Sequence, residues 1–425
     1  MTSVTRILPA CPYRRALHFI VWLVLLVLAL TGCQAEQAPD PLPPDEYLDN
    51  ALNWIEAKAI AVNNVDWPAV RAAAVALVPD PQTTADTYPA IEYALAELGD
   101  SLAWLAAPDE VSSGGFGMAA VYPDGVVLFV EKGGPAEKAA VQVGDIVEVV
   151  NGAPLQPYAG TSQVDLTAAA QESRRADLQL RRAGQTVTVS LERAEFEVEG
   201  LPTSRQLSLG EHTIAYLDLP WDPGSELYPT RVQEAMAAVD GPANCGWIVD
   251  LRRNTGGDLW SFLAGLGPIL GEGKLGGFVY PDDSEEWWIY ENGKVFWAEE
   301  ERFESYVRGP IYTVAQTGLP VALLISRMTH AAPELVVVAF QEWGTVRTFG
   351  EASAGAPHLV LHTPLSDGAF LYASGAVGMD RTGRLYDGPI EPDEPVMIDW
   401  QKIGAASDPV VGTAQAWLAD QPSCR

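Results

Sequence analysis

The sequence predicts a multidomain α/β protein, and three changes of hydropathy pattern along its 425 residues carry that expectation. Apolar residues first recur at helical spacing, then fall into short β segments cut by Gly and Pro, and finally alternate between strand-like and helix-like runs. With 48% hydrophobic and 19% charged residues, the composition suits globular domains with cores of their own and excludes a disordered or collagen-like chain. The 56 acidic against 26 basic side chains give a net charge of −30, a field that repels phosphate backbones and excludes nucleic acid as an expected partner. Four cysteines with no C-x-x-C or His-rich cluster suggest neither a disulfide scaffold nor a zinc site, and no metal, nucleotide or redox cofactor is implied.

At the start, Arg6, Arg14 and Arg15 precede an uncharged apolar run from Phe19 to Leu30, and Leu30-Thr31-Gly32-Cys33 follows. This order reads as a secretory signal. The apolar run has 12 residues, short of the roughly 20 that span a bilayer as a helix, so an uncleaved anchor is the weaker alternative. L-T-G-C resembles a bacterial lipobox. The resemblance implies that residues 1–32 are removed and that Cys33 is acylated, each buried methylene contributing about 0.8 kcal/mol of membrane affinity. The expected location is the bacterial cell envelope, outside the cytoplasm, with the membrane as a partner through the lipid. Cys245 and Cys424 are then the remaining thiols of the exported part, and sequence leaves a disulfide and two separate thiols equally open.

Residues 33–44 are polar and Pro-rich and read as a tether. A helical domain is expected over 45–110, from Leu48, Leu52 and Ile55 and later Ile91, Leu95, Leu98, Leu102 and Leu105, broken between helices by Pro79-Asp80-Pro81. Over 111–195, strands are expected at Val126–Val130, Ile146–Val150 and Val187–Leu191, with one helix-length stretch at Ser162–Ser173. The remainder, 196–425, reads as an α/β domain. Its strand candidates are His212–Leu219, Gly246–Leu251 and Pro320–Ile325; its helix candidates are Leu227–Val239, Asp258–Leu270, Ala332–Glu342 and Thr413–Leu418. The acidic, aromatic segment Asp282–Glu304, with Trp287, Trp288, Tyr290 and Trp297, either lines a groove or covers the core, the commoner fate of such residues.

In the middle region, Gly115-Phe116-Gly117-Met118, Gly133-Gly134-Pro135-Ala136 and Val143-Gly144-Asp145-Ile146 followed by Asn151-Gly152 together resemble a PDZ domain of the bacterial protease type. The resemblance implies that Gly115, Phe116, Gly117 and Met118 offer backbone N–H groups to a peptide carboxylate while a neighbouring strand edge accepts the peptide. Ordinary β turns without a ligand are the alternative.

Farther on, Asp250-Leu251-Arg252-Arg253-Asn254-Thr255-Gly256-Gly257 closely resembles the D-L-R-x-N-x-G-G motif of the tail-specific, or C-terminal processing, serine peptidases. Thr329-His330-Ala331-Ala332-Pro333-Glu334 looks like their T-A-S-x-x-E, at the mouth of a helix that Pro333 can enter only in its first turn. The family resemblance implies a crotonase/ClpP-like α/β core, with oxyanion donors at Gly256, Gly257 and Ala332 and a nucleophile at position 331.

Three departures bear on activity. Ala331 stands at the nucleophile position, Ala356 where the Ser-Lys members carry the lysine, and Leu102 where a related branch carries a histidine base. Loss of a triad nucleophile lowers rates on the order of 10⁶-fold. Thr329 and His330 are the nearest substitutes, with Ser326, Ser353, His358 and His362 also in the region, although Thr329 reads first as a helix cap. The sequence therefore points to a lipid-anchored homologue of these peptidases that binds peptide or protein C-termini, with weak or absent hydrolysis. The alternatives are an active endopeptidase with a displaced catalytic residue and a small-ligand-binding protein on the same core.

Overall fold

The computed structural model describes residues 42–108, 115–157, 161–167, 174–196, 201–222, 224–298 and 303–425. The signal, Cys33 and nearly all of the tether lie outside them. Residues 43–425 form one compact unit.

The first helical pattern becomes three helices. α1 (Pro44–Lys58) starts on a proline, with Asp45 and Glu46 at the positive end of the helix dipole. In α2 (Trp67–Leu77), the Asp66 carboxylate caps the start by accepting the Ala69 N–H at 3.3 Å. α3 (Tyr88–Leu98) ends at Gly99, whose φ of +66° supplies the left-handed turn that closes a helix. Leu48, Leu52, Ile55, Ile91 and Leu95 are all buried, as their spacing requires. A short strand, β1 (Trp104–Ala106), follows.

Next come a hairpin of β2 (Met118–Ala120) and β3 (Val127–Val130), a single turn α4 (Pro135–Lys138), and an antiparallel sheet of β4 (Ile146–Val150), β5 (Arg175–Arg182) and β6 (Gln185–Glu192). β5 alternates cleanly: Ala176, Leu178 and Leu180 are buried while Arg175, Asp177, Gln179 and Arg181 are exposed. Of the helix expected at 162–173, residues 168–173 lie outside the described set. Its start instead runs beside β2, where Val164 donates to the Ala120 carbonyl and Tyr122 to the Ser162 carbonyl, both at 2.8 Å.

The remaining chain builds two sheets around shared helices. In order, its elements are β7 (Thr203–Leu209), β8 (His212–Asp218), α5 (Tyr228–Val239), β9 (Asn244–Asp250), α6 (Leu259–Leu270), β10 (Gly273–Val279), β11 (Glu285–Glu291), β12 (Lys294–Trp297) and β13 (Phe303–Tyr306). After them come β14 (Val321–Ile325), α7 (Ala332–Phe340), β15 (Val346–Gly350), β16 (His358–Pro364), β17 (Phe370–Asp380), β18 (Leu385–Tyr386), β19 (Glu394–Pro395) and α8 (Pro409–Ala419). One sheet runs β19-β15-β14-β9-β8-β7 and is parallel except for β7. The other runs β1-β17-β10-β11-β12-β13, with β16 and β18 also on β17, and is antiparallel.

β9 and β14 are buried along their whole length, which is why they read as unbroken apolar runs. The largest core joins Leu217, Trp247 and Val249 of the first sheet, Phe262 and Phe340 of the helices, and Phe278 and Trp288 of the second sheet. The acidic, aromatic segment thus contributes core: Trp288 is 0% and Trp297 3% exposed. Trp287, in contrast, turns outward and takes the Lys274 ammonium 3.3 Å from its ring centre. The β2–β3 hairpin is joined to the first sheet, since Val121, Val126 and Leu128 share a core with Ile214, Ile248 and Leu324. Cys245 and Cys424 form a disulfide, with Cα atoms 5.0 Å apart. α8 begins four residues earlier than expected, because Asp408 caps it and Pro409 fits its first turn.

Candidate functional site

Two adjacent parallel strands, β9 and β14, end side by side, and the turns that leave their carboxyl ends form the site. Open α/β sheets place ligands in this kind of crevice. After β9, Arg252 is wholly buried between two carboxylates: its Nε and Nη2 donate to Asp250 at 2.9 and 2.6 Å, and its Nη1 and Nη2 donate to Asp408 at 3.0 and 2.7 Å. Burial alone raises the Asp250 carboxyl pKa, but the Arg252 charge and hydrogen bonds overcome it and hold Asp250 below its ordinary value. This fork fixes the strand end. Asn254 then shapes the turn: its side-chain N–H₂ donates to the carbonyls of Leu219 and Pro220, and its carbonyl oxygen Oδ1 accepts the Gly256 N–H at 3.2 Å.

Gly256 and Gly257 have φ of +140° and +118°, open to glycine and strained for other residues. A Cβ on Gly257 would sit 2.7 Å from the Asp222 carbonyl oxygen, so the close approach itself demands glycine. The expectation that Gly256 donates to an oxyanion is corrected, because its N–H is already bonded to Asn254. Gly257 and Ala332 N–H groups take no hydrogen-bond partner among the described residues.

After β14, the chain turns sharply into α7. Ala331, immediately before the helix, adopts φ +62° and ψ −112°, a conformation costly to any residue with a Cβ. Glu334, 0% exposed, holds it there. Its Oε2 accepts the N–H groups of Ala331 at 2.8 Å and Ala356 at 3.0 Å, and its Oε1 accepts the Ser353 hydroxyl at 2.6 Å and the Gly355 N–H at 2.7 Å. Burial raises the Glu334 pKa against the pull of these four donors. The result is a sharp strand-to-helix turn of the type that presents a nucleophile, carrying a methyl group at its apex.

Residues 213–396 match the profile of peptidase family S41. The chain carries an S41 peptidase domain. Over 153 residues it is 34% identical to the nisin-resistance protein of Lactococcus lactis subsp. lactis, a match covering 35% of this chain and 45% of that protein. Over 246 residues it is 26% identical to the carboxy-terminal processing protease CtpA of Bacillus subtilis (strain 168), covering 57% of this chain and 47% of the relative. The chain thus spans about half the length of the curated relatives it matches. Among solved structures, a lipoprotein from Streptococcus agalactiae superposes with a TM-score of 0.55 at 16% identity, covering 89% of this chain and 96% of the other. The photosystem II D1 C-terminal processing protease gives 0.54 at 20% identity, covering 84% and 94%. At such identities the structural likeness speaks for the S41 fold alone.

Within the S41 domain, of the expected substitutes for residue 331, Thr329 is engaged elsewhere and His330 is largely buried. Thr329 is fully buried, and its hydroxyl donates to the Leu251 carbonyl at 2.9 Å while accepting the Ser326 N–H at 3.0 Å. The helix-cap expectation for Thr329 is therefore corrected: the side chain ties the two turns together. His330 is kept neutral, its pKa lowered to about 4 chiefly by burial, and its Nε2 is shielded without a partner among the described residues. Leu102 and Ala356 are buried and offer no base.

Asp222, Ser374 and Asp387 were not singled out from the sequence, whereas His358 was named there. Asp222 packs against Gly257, is 1% exposed, and has its pKa raised to about 6, mainly by burial, with Oδ2 unpartnered among the described residues. A polar cavity of about 490 Å³ beside the Gly355–Ala356 loop is lined in part by Asp100, His358, Ser374 and Asp387. There, Asp387 meets His358 Nε2 at 3.0 Å, His358 Nδ1 meets the Ser374 hydroxyl at 3.2 Å, and that hydroxyl donates to Asp100 at 2.8 Å. Ser374 is fully buried, so it is no accessible nucleophile. Such long-range pairings leave no local sequence signal.

In the glycine loop, the Gly115 N–H donates to Ala194 at 3.1 Å, so the expectation that it serves a ligand carboxylate is corrected. The amides of Phe116 and Gly117 have no partner among the described residues. The carbonyls of the same two residues accept from Ala136 and Glu131 at 3.0 and 2.8 Å, which fixes the loop. The described residues contain no group of three or more His, Cys, Asp or Glu placed to hold a metal, and no described helix is long and apolar enough to cross a membrane.

Proposed function

We propose that this protein binds the free carboxyl ends of peptides and does not cleave them through residue 331. The observation that carries the reading is the methyl group of Ala331 at the apex of the sharp turn between β14 and α7. Acyl transfer starts with attack by an oxygen or sulfur, and a methyl has no lone pair. Loss of that nucleophile removes on the order of 10⁶ in rate, or about 8 kcal/mol of transition-state stabilisation. Peptide binding is supported by the relatives named as processing proteases and by the uncommitted amides of Phe116 and Gly117.

In this reading, residues 45–110 are a helical domain, 111–195 a PDZ-like receptor and 196–425 the inactive core, with Cys33 acylated and anchored to a membrane of the bacterial cell envelope. The decisive experiment incubates the full chain with a fluorophosphonate probe and maps any adduct by mass spectrometry, alongside turnover of labelled peptides. No adduct and no cleavage are expected. A labelled native side chain, or cleavage lost with it on mutation, overturns the reading.

A further inference from the structure

The glycine loop opens on a pocket of about 620 Å³ that two parts of the chain share. One wall is Phe116, Met118, Phe129 and Phe196, with Glu131 and Glu195 also on the lining; Trp221 and Thr255, the latter directly before the Gly256-Gly257 turn, come from the core. Phe196 also covers the loop, its ring 3.3 to 3.7 Å from where Cβ atoms would stand on Gly115, Gly117 and Gly134. The walls are held at fixed separation, because Arg253 donates to the Leu128 carbonyl at 3.2 Å and Arg327 to the Tyr122 carbonyl at 3.1 Å. The volume falls in the range of about 300–1,000 Å³ typical of small-ligand sites, so it suits a few residues rather than a folded partner.

A peptide added as a new strand along β2 needs the N–H and C=O groups that alternate along its outer edge. Met118 faces Val130 without exchanging hydrogen bonds with it, as the Glu131-to-Gly117 bond beside the pair shows, so Met118 turns its own groups outward. Beyond Met118 the edge is taken: the Ala120 carbonyl accepts from Val164, and the Tyr122 N–H donates to Ser162, both at 2.8 Å. An incoming chain can therefore pair with Met118 and no farther.

Resting on the peptide-binding reading above, we infer that the pocket is a short-reach receptor for the last one or two residues of a peptide. The carboxylate lies on the Phe116 and Gly117 amides, a large apolar final side chain enters between Phe116, Phe196 and Trp221, and Trp221 sets specificity from the core side. Selectivity then resides in the terminal residue, and residues upstream contribute little because the strand edge they would use is occupied by the chain itself.

Fluorescence anisotropy with the purified full chain in detergent tests this. The probe is a labelled hexapeptide ending in free Phe, compared with its amide, its Asp-ended counterpart and a labelled dipeptide with the same final residue. We expect the dipeptide within about threefold of the hexapeptide, the Asp-ended peptide at least tenfold weaker, and Trp221→Ala at least tenfold weaker, with Trp221→Phe close to wild type. A hexapeptide binding tenfold tighter than the dipeptide, or a Trp221→Ala protein that binds normally, overturns the short-reach receptor while leaving the carboxylate reading intact. Equal binding of acid and amide overturns the carboxylate reading instead, and no binding by any peptide overturns both.

Discussion

Replacing Ala331 by glycine tests whether the turn at the head of α7 is strained. With φ +62° and ψ −112°, Ala331 lies outside the regions open to residues that carry a Cβ. Such a placement costs about 1–3 kcal/mol, and glycine removes most of it. Against that, glycine raises the backbone entropy lost on folding by about 0.5–1 kcal/mol. Ala331 is half-buried, so the methyl contributes little packing to offset the gain. Ala331→Gly is therefore expected to stabilise the protein by about 0.5–2 kcal/mol, and Ala331→Val to destabilise it by more than about 1 kcal/mol because a β-branched residue is worse still at positive φ. Urea unfolding at neutral pH, followed by near-ultraviolet circular dichroism, reads both. The order glycine, alanine, valine from most to least stable is the expected result. A less stable glycine variant would show that the Glu334 clamp holds the turn without strain.

Three other outcomes follow from the site. Ala331→Ser is expected to remain unreactive to fluorophosphonate, since Leu102 and Ala356 supply no base; robust labelling would reveal one elsewhere. Arg252→Ala leaves Asp250 and Asp408 as buried uncompensated charges and should cost about 3–5 kcal/mol in urea unfolding; a loss under about 1 kcal/mol contradicts the buried fork. Asp222, with a folded pKa of about 6 against an ordinary 3.8, stabilises the fold in its neutral form, so this contribution is present below pH 4 and lost as pH rises toward 6. The full shift is worth roughly 3 kcal/mol and about 1–2 after solvent screening. In Asp222→Asn, the fall in stability between pH 4 and 7 should shrink by that amount. The measurement needs a His330→Gln background, because His330, at about 4 against 6.5, acts oppositely and loses its contribution as pH falls through the same window. An unchanged pH profile refutes the burial assigned to Asp222.

Elements with strong local patterns were legible in the sequence. β9 and β14 are unbroken apolar runs because helices and a second sheet cover them, and the span from Asp258 to Leu270 carries its own capping aspartate. The D-L-R-x-N-x-G-G and T-x-x-x-x-E positions also fell together, because adjacent parallel strands end in register. What the sequence hid was partnership across distance. Thr329 looked like a cap since hydroxyls at helix starts usually are, yet the carbonyl of Leu251 claimed it. Gly115 and Gly256 looked like free donors, yet the Ala194 carbonyl and the Asn254 Oδ1 accept their N–H groups. Asp222 and the His358–Ser374–Asp100 chain carry no spacing signal, because their environment comes from segments far apart in sequence.

The late residues are bound to the site twice. Asp408 grips Arg252 beside the β9 turn, and Cys424 is linked covalently to Cys245 near the other end of the same strand. A protease that nicked the exposed Ala405–Ser407 connection would thus release nothing: the severed piece would stay riveted to β9 and separate only under reducing conditions. Non-reducing electrophoresis alone would report such a clipped molecule as intact.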